Sequence, residues 1–315
     1  MDDVLVRPRS RGRFPALHLA LFLATVASTL WAGFELSPLA AHAATLQNVV
    51  RGGLPFAASI VAILGAHEMG HYVVARRHGV AATLPYFIPV PFGAGTLGAV
   101  IRMRSAIPSR RAALDIAAAG PLAGLAVALP LLVWGLAHSE LREVFTAPGG
   151  SALVSPFALV RALVAGRPLV SGSAAAQFFG DSLLTAGARL AVYGPLPPGT
   201  DLFLHPVAFA AWLGLLVTAL NLVPAGQLDG GHVLYALVGR RGALLGSRLV
   251  SAGLLAAGVF LSWNWLVWWL LTRFLIGLGH PPSLVEEPLD PRRRAVALLS
   301  LALFALTFVP IPVSF

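Results

Sequence analysis

The chain has 315 residues, 57% of them hydrophobic and only 11% charged, with a mean hydropathy of +0.80. Soluble domains are roughly a quarter charged, so a single soluble core is excluded and an integral membrane protein with several spans is expected. The formal net charge is +9 and every basic side chain is arginine, but the arginines flank apolar runs, as the positive-inside rule expects, and no nucleic-acid face is read from them. Cysteine is absent, which removes disulfides, thiolate metal sites and thiol nucleophiles; any metal must be held by His and carboxylate. Length alone would allow two domains, yet no polar block is large enough to be a second one.

The first predicted element is an apolar run from about Ala16 to Phe34, preceded by Arg7, Arg9, Arg11 and Arg13. It is long enough to span, and the arginines place the N-terminus in the cytoplasm. Ala41-His42-Ala43 resembles a signal-peptidase site, but the run exceeds a usual signal core, so a retained helix is expected. A second span covers about Leu54 to Ala75 and ends at Arg76-Arg77, back at the cytoplasmic face. The Pro- and Gly-rich stretch 84–103 rules out a simple helix, and Leu97 to Met103 has strand character. Irregular backbone at membrane depth is tolerated only against protein or a wet cavity, so a re-entrant β-hairpin beside the site is expected.

Ala112 to Ala137 is the next span, with Gly120 and Gly124 spaced for close helix packing. Residues 138–206 read as an extracytoplasmic segment with short apolar pieces at 151–165 and 183–193. A span from about Val207 to Val223 leads into Asn221-Leu-Val-Pro-Ala-Gly-Gln-Leu-Asp-Gly-Gly-His232. Arg240, Arg241 and Arg248 mark the cytoplasm again. Apolar runs near 249–262 and 263–279 follow, then a polar loop, 281–294, and a last span from 295 to about 311. Trp263, Trp265, Trp268 and Trp269 read as an interfacial anchor and packing feature. The predicted fold is thus an all-α polytopic membrane protein with about six or seven transmembrane helices. No repeats or heptads are present.

The chemistry sits in His67-Glu68-Met69-Gly70-His71, an HExxH. On a helix the two histidines are one turn apart on one face and can share a zinc ion, while Glu68 reaches the water that the metal activates and serves as general base. From the chain's His and Glu frequencies a chance HExxH is about a 0.5% event. Ionisable groups inside a span are themselves a functional signal. A catalytic zinc needs a third protein ligand. Asp115 starts the third span; Asp181 and Asp201 lie on the wrong side; Asp229 lies at the depth of the histidines, in a Gly-rich turn. Alone, Asp229 reads equally as a turn residue or N-cap; beside HExxH it is the expected ligand. Asn221, at a proline-broken helix end, is placed to hydrogen-bond the substrate backbone or an oxyanion, or else to satisfy freed carbonyls. His232 is a supporting group at most.

With these motifs the chain resembles the site-2 protease family of intramembrane zinc metalloproteases, peptidase family M50. The family's two marks, HExxH and a distant N-x-x-P-x-x-x-x-D-G, stand here as His67 to His71 and as Asn221, Pro224, Asp229 and Gly230. Residues 95–124 and 288–312 are similar to a bacterial subgroup related to the chloroplast yellow-green, gravitropism-deficient proteases. The resemblance implies one Zn²⁺ per chain held by His67, His71 and Asp229, Glu68 as the base and Asn221 as a substrate-positioning residue. It implies substrates that are transmembrane helices of other proteins, cleaved within the lipid bilayer. Such a helix must unwind first, and a free strand edge can capture it by β-augmentation; Leu97, Gly98, Ala99 and Val100 are the expected edge. The expected division is an N-terminal arm with the first helix, 1–55, a metalloprotease core, 56–240, and C-terminal helices, 241–315. A bacterial inner membrane is the expected location, since no long Ser-rich transit peptide precedes the first span. The loops are too short for a PDZ domain. A silent helix-binding adaptor or a metal or solute transporter are the alternatives; intact Glu68 argues against the first, and the lack of inverted repeats against the second.

Overall fold

A computed structural model describes residues 15–143, 155–165, 178–279, 285 and 287–314; the N-terminal arginines and much of 138–177 lie outside them. Four helices among the described residues are long and apolar enough to cross a membrane. They are α1 (Ala16–Glu35), α2 (Leu46–Arg77), α3 (Arg110–Ala137) and α7 (Asp229–Phe260). Shorter helices accompany them: α4 (Pro156–Val164), α5 (Leu183–Tyr193), α6 (Pro206–Asn221), α8 (Trp263–Leu270) with a π-helical turn, and α9 (Pro291–Thr307). At 16 residues α6 reaches about 24 Å, short of a bilayer core of about 30 Å.

The helix ends follow local chemistry. Thr45, Ser109 and Asp290 each accept a hydrogen bond from a first-turn N–H of α2, α3 and α9, satisfying donors that the helix leaves free. Pro206 and Pro291 stand at N1, where no N–H is needed. The sequence reading starts a helix near 249; the structure starts it at Asp229 and breaks it at Gly239 (φ 73°). The arginines at 240 and 241 therefore sit in a kinked helix rather than a loop.

Helix α3 is the hub. It packs on α2 and α6 through Ala128, Leu132 and Leu136, with Ile63 and Leu215 opposite, and on α7 and α9 through Leu114 and Ala117, with Val233, Ala236 and Ala297 opposite. Its buried face is largely Ala and Gly. Lipid is as apolar as leucine, so helices in it associate by close packing of small residues rather than by hydrophobic exclusion. Bulky side chains such as Leu17, Leu23 and Leu249 point outward.

The stretch 84–103 forms an antiparallel hairpin, β1 (Tyr86–Pro89) and β2 (Thr96–Val100), with Tyr86 opposite Val100 and Pro89 opposite Thr96. Two residues of β2, Leu97 and Gly98, face the single residue Ile88, a β-bulge that Gly98 accommodates at φ +102°. The hairpin lies along α1. His18 Nδ1 meets the Pro85 carbonyl at 3.1 Å, Phe22 packs edge-on against Phe87, and Ser28 Oγ donates to the Gly95 carbonyl at 2.6 Å. Those anchors are ten residues apart on α1, or about 15 Å of helix.

Away from this end, β3 (Glu140–Glu143) pairs with β5 (Thr200–Phe203), and β4 (Phe178–Phe179) with β6 (Val313–Ser314). Of the tryptophans, Trp265 is buried, donates to the Pro310 carbonyl at 2.8 Å and stacks on Phe308, a packing role.

Candidate metal centre

His67 and His71 project from one face of α2, with ring centroids 4.9 Å apart and roughly perpendicular planes. Both are buried, as is Glu68. Asp229, the first residue of α7, brings Oδ2 to 3.4 Å from His67 Nε2 and 3.2 Å from His71 Nε2, while the two Nε2 atoms are 3.1 Å apart. Among the described residues this is the one cluster of three His or carboxylate groups able to hold a metal ion. A tetrahedral zinc with N and O ligands at about 2.0–2.1 Å needs donors about 3.3 Å apart, so the donor set fits the ion.

The ligand orientation is fixed from behind. His71 Nδ1 lies 2.7 Å from the Ile116 carbonyl on α3. A carbonyl only accepts, so Nδ1 is assigned the proton and Nε2 keeps its lone pair for a metal. The close approach requires a bare backbone: a Cβ on Gly120 would stand 2.1 Å from His71 Nε2, and one on Gly124 would stand 3.3 Å from the His67 ring. The glycines of the AAGPLAG segment thus make room for imidazoles as well as for helix packing. On α7, a Cβ on Gly230 would stand 1.9 Å from the Leu222 carbonyl; this glycine seats Asp229 against the end of α6 by close approach rather than by a special dihedral.

Glu68 opens onto a cavity of about 510 Å³ that also receives His67, His71, Asn221 and Asp229. The Ile101 backbone N–H, just past β2, is the donor facing its carboxylate. Asn221 Nδ2 stands 3.2 Å from His67 Nε2. Of the four expected edge residues, Ala99 and Val100 line the cavity, and Ile101 and Met103 continue that wall. Leu97 and Gly98 do not line it; they form the bulge, and Leu97 is 67% exposed. β2 pairs only with β1 among the described strands. Gln227 and His232 also line the cavity.

The other carboxylates are used elsewhere: Asp115 pairs with Arg293 and His78, and Asp181 with Arg189. Sequence reasoning missed the Ile116 carbonyl and Ile101 N–H, which carry no residue-type signal. Gly120 had a signal, a small residue on a buried face, but its contact with His71 depends on helix register.

The family model described as Peptidase family M50 matches residues 55–263. The probable zinc metalloprotease EGY2, chloroplastic, of Arabidopsis thaliana is 31% identical over 270 residues, covering 85% of this chain and 43% of that protein. The probable zinc metalloprotease EGY1, chloroplastic, of Oryza sativa subsp. japonica is 32% identical over 268 residues, 84% of this chain and 42% of that protein. The chain thus spans less than half the length of these curated relatives. No solved structure matches it.

Proposed function

The chain belongs to peptidase family M50, and from that membership we propose that it is a zinc metalloendopeptidase cutting peptide bonds in or near transmembrane segments of other proteins. The observation that carries this reading is the convergence of His67, His71 and Asp229, with Glu68 beside them, from two helices that are each long and apolar enough to span.

His67, His71 and Asp229 would hold the ion, which supplies a Lewis-acid centre and a water acidified to a pKa of about 7. Ile116 keeps His71 in the tautomer that this needs. Glu68 takes the proton of the attacking water at its carboxylate and delivers it to the leaving amine nitrogen. The Asn221 amide, an N–H donor at the rim of the same cavity, holds the substrate backbone. The free side of β2 pairs with an unwound substrate segment, Ala99 and Val100 bringing it to the cavity and Leu97 and Gly98 flanking it.

The 15 Å over which the hairpin follows α1 supports a re-entrant placement. It also supports retention of α1, which the hairpin would lose on cleavage. With α6 and α9 crossing as shorter spans the count becomes six, and α8 with its π-helical turn would make it seven. Arg76, Arg77, Arg110 and Arg111 gather where α2 ends and α3 begins, which supports a cytoplasmic site end and N-terminus. A bacterial cell membrane follows from the resemblance to a bacterial subgroup, whereas the curated relatives carry chloroplastic names.

The test is zinc per chain and cleavage of single-span substrates by detergent-purified protein, for wild type and Glu68→Gln in parallel. One zinc in both with cleavage only in wild type is expected. Cleavage that survives the substitution overturns the role of Glu68, and zinc-free wild type overturns the site.

A further inference from the structure

Two stretches that carry the family resemblance, 95–124 and 288–312, contribute nothing from their charged residues to the cavity, yet those residues meet. Asp115, in the second turn of α3, takes the Arg293 guanidinium in a two-pronged pair, Nε to Oδ1 at 2.9 Å and Nη2 to Oδ2 at 2.7 Å. Arg293 Nη1 also donates to Asp290 Oδ2 at 2.7 Å, and Asp290 caps α9 by accepting from the Arg293 N–H. On its other side Asp115 Oδ2 receives His78 Nε2 at 3.1 Å, and His78 is the residue that ends α2. One carboxylate therefore ties together the start of α3, the start of α9 and the end of the helix that bears HExxH.

The next residue is Ile116, whose carbonyl fixes His71. Six residues earlier, at the first residue of α3, Arg110 Nε donates to the Ala236 carbonyl at 2.7 Å. That carbonyl belongs to the short half of α7 that begins at Asp229 and breaks at Gly239. The first two turns of α3 thus touch both halves of the metal site. We propose that Asp115 and Arg293 are positioning residues for the metal centre: their pair, with His78, locks α3 against α2 and α9 and so holds the Ile116 carbonyl where it orients His71.

The pair is partly open, with side-chain exposures of 22% and 33%. A single ion pair so exposed adds little to stability. Its geometry is what matters, since a two-pronged arginine–carboxylate contact fixes direction as well as distance. Arg111 supplies a control. It pairs with Glu287 at 3.3 Å and docks the same C-terminal segment, but neither an ion pair nor a hydrogen bond joins it to Asp115 among the described residues.

The inference rests on the metal-site reading above, and the experiment separates the two. Full-length protein in detergent, stripped and titrated with Co²⁺, gives an affinity and a d–d spectrum for wild type, Asp115→Asn, Arg293→Gln, the double variant and Arg111→Gln. Asp115→Asn and Arg293→Gln are each expected to weaken Co²⁺ binding about tenfold, the lower end for groups that orient metal ligands, and to alter the d–d bands. The double variant is expected to be no worse than either single one, and Arg111→Gln to match wild type. Arg293→Lys keeps the charge, loses the fork and carries the test if the others misfold; an intermediate loss is expected. Unchanged affinity and spectra in the Asp115 and Arg293 variants, even with a lowered Tm, overturn the inference alone. So does an equal effect from Arg111→Gln. Wild type that binds no Co²⁺ overturns the metal site and this inference together.

Discussion

Two histidine pairs stand at opposite ends of the helices around α3. His67 and His71 have ring centroids 4.9 Å apart, and His138 and His205 have theirs 6.2 Å apart with Trp134 stacked on His138. The separations are similar; the surroundings are not. In the second pair each ring is used locally, His138 Nδ1 on the Trp134 carbonyl at 2.7 Å and His205 Nδ1 accepting from the Val207 N–H at 3.2 Å. His138 is exposed, and no carboxylate completes a metal set with the pair among the described residues. In the first pair, one ring is held from behind and both Nε2 atoms face Asp229 inside the protein. Neighbouring histidines become a metal-site candidate when the fold turns one nitrogen of each towards a common third donor.

The comparison breaks most readily by swapping deletions between the ends. His71→Ala is expected to abolish zinc binding and cleavage, while His205→Ala retains one zinc and full activity; loss of zinc in both would erase the distinction. Glu68→Gln is expected to lower kcat by about 10³-fold with zinc retained, within the range for a general base, as single-turnover cleavage would measure. Gly120→Ala places a methyl against His71 Nε2 and is expected to cost about 1–3 kcal/mol by overpacking. The same change should weaken zinc binding, as chelator competition would read; an unperturbed site would mean that α3 gives way easily. Ser28→Val removes the tie to the Gly95 carbonyl and is expected to raise KM a few-fold, about what one hydrogen bond is worth, with kcat unchanged.

The smallest expected effect belongs to the far pair. Burial first, and then the charge of His138, hold the His205 pKa below its ordinary value. The unfolded chain therefore binds a proton more readily than the folded one below about pH 6.5. The contribution of His205 to stability is full above that pH and is lost as pH falls towards the folded value. Across pH 5–7, roughly the range that brackets a histidine titration, the gap between the thermal midpoints of wild type and His205→Asn should be constant at the upper end. Wild type should fall more steeply at the lower end. Parallel curves would show that His205 is not the group responsible.

Much of the site end was legible because its signals are local. Four-residue spacing on one helix puts His67 and His71 on a common face whatever surrounds them. Asp229 stood out because few other carboxylates share that depth in so apolar a chain. The hairpin was legible from Pro and Gly, but its edge was not: the bulge at Leu97 and Gly98 leaves only Ala99 and Val100 at the cavity. Residues 138–206 resisted reading, since pieces as short as α5 give no decisive period.

Composition, residue type and spacing were enough to imply a polytopic membrane protein, a helical face bearing two histidines and a glutamate, and the carboxylate expected to join them. All of these depend on residue type and spacing along one segment. Tertiary structure alone decided that the Ile116 carbonyl orients His71, that Gly120 clears space for that ring, and that Asp115 pairs with Arg293 across 178 residues. A backbone carbonyl is the same in every residue, and a glycine or an aspartate has no partner until helices are set in register. Those contacts exist only once α2, α3, α7 and α9 are packed together.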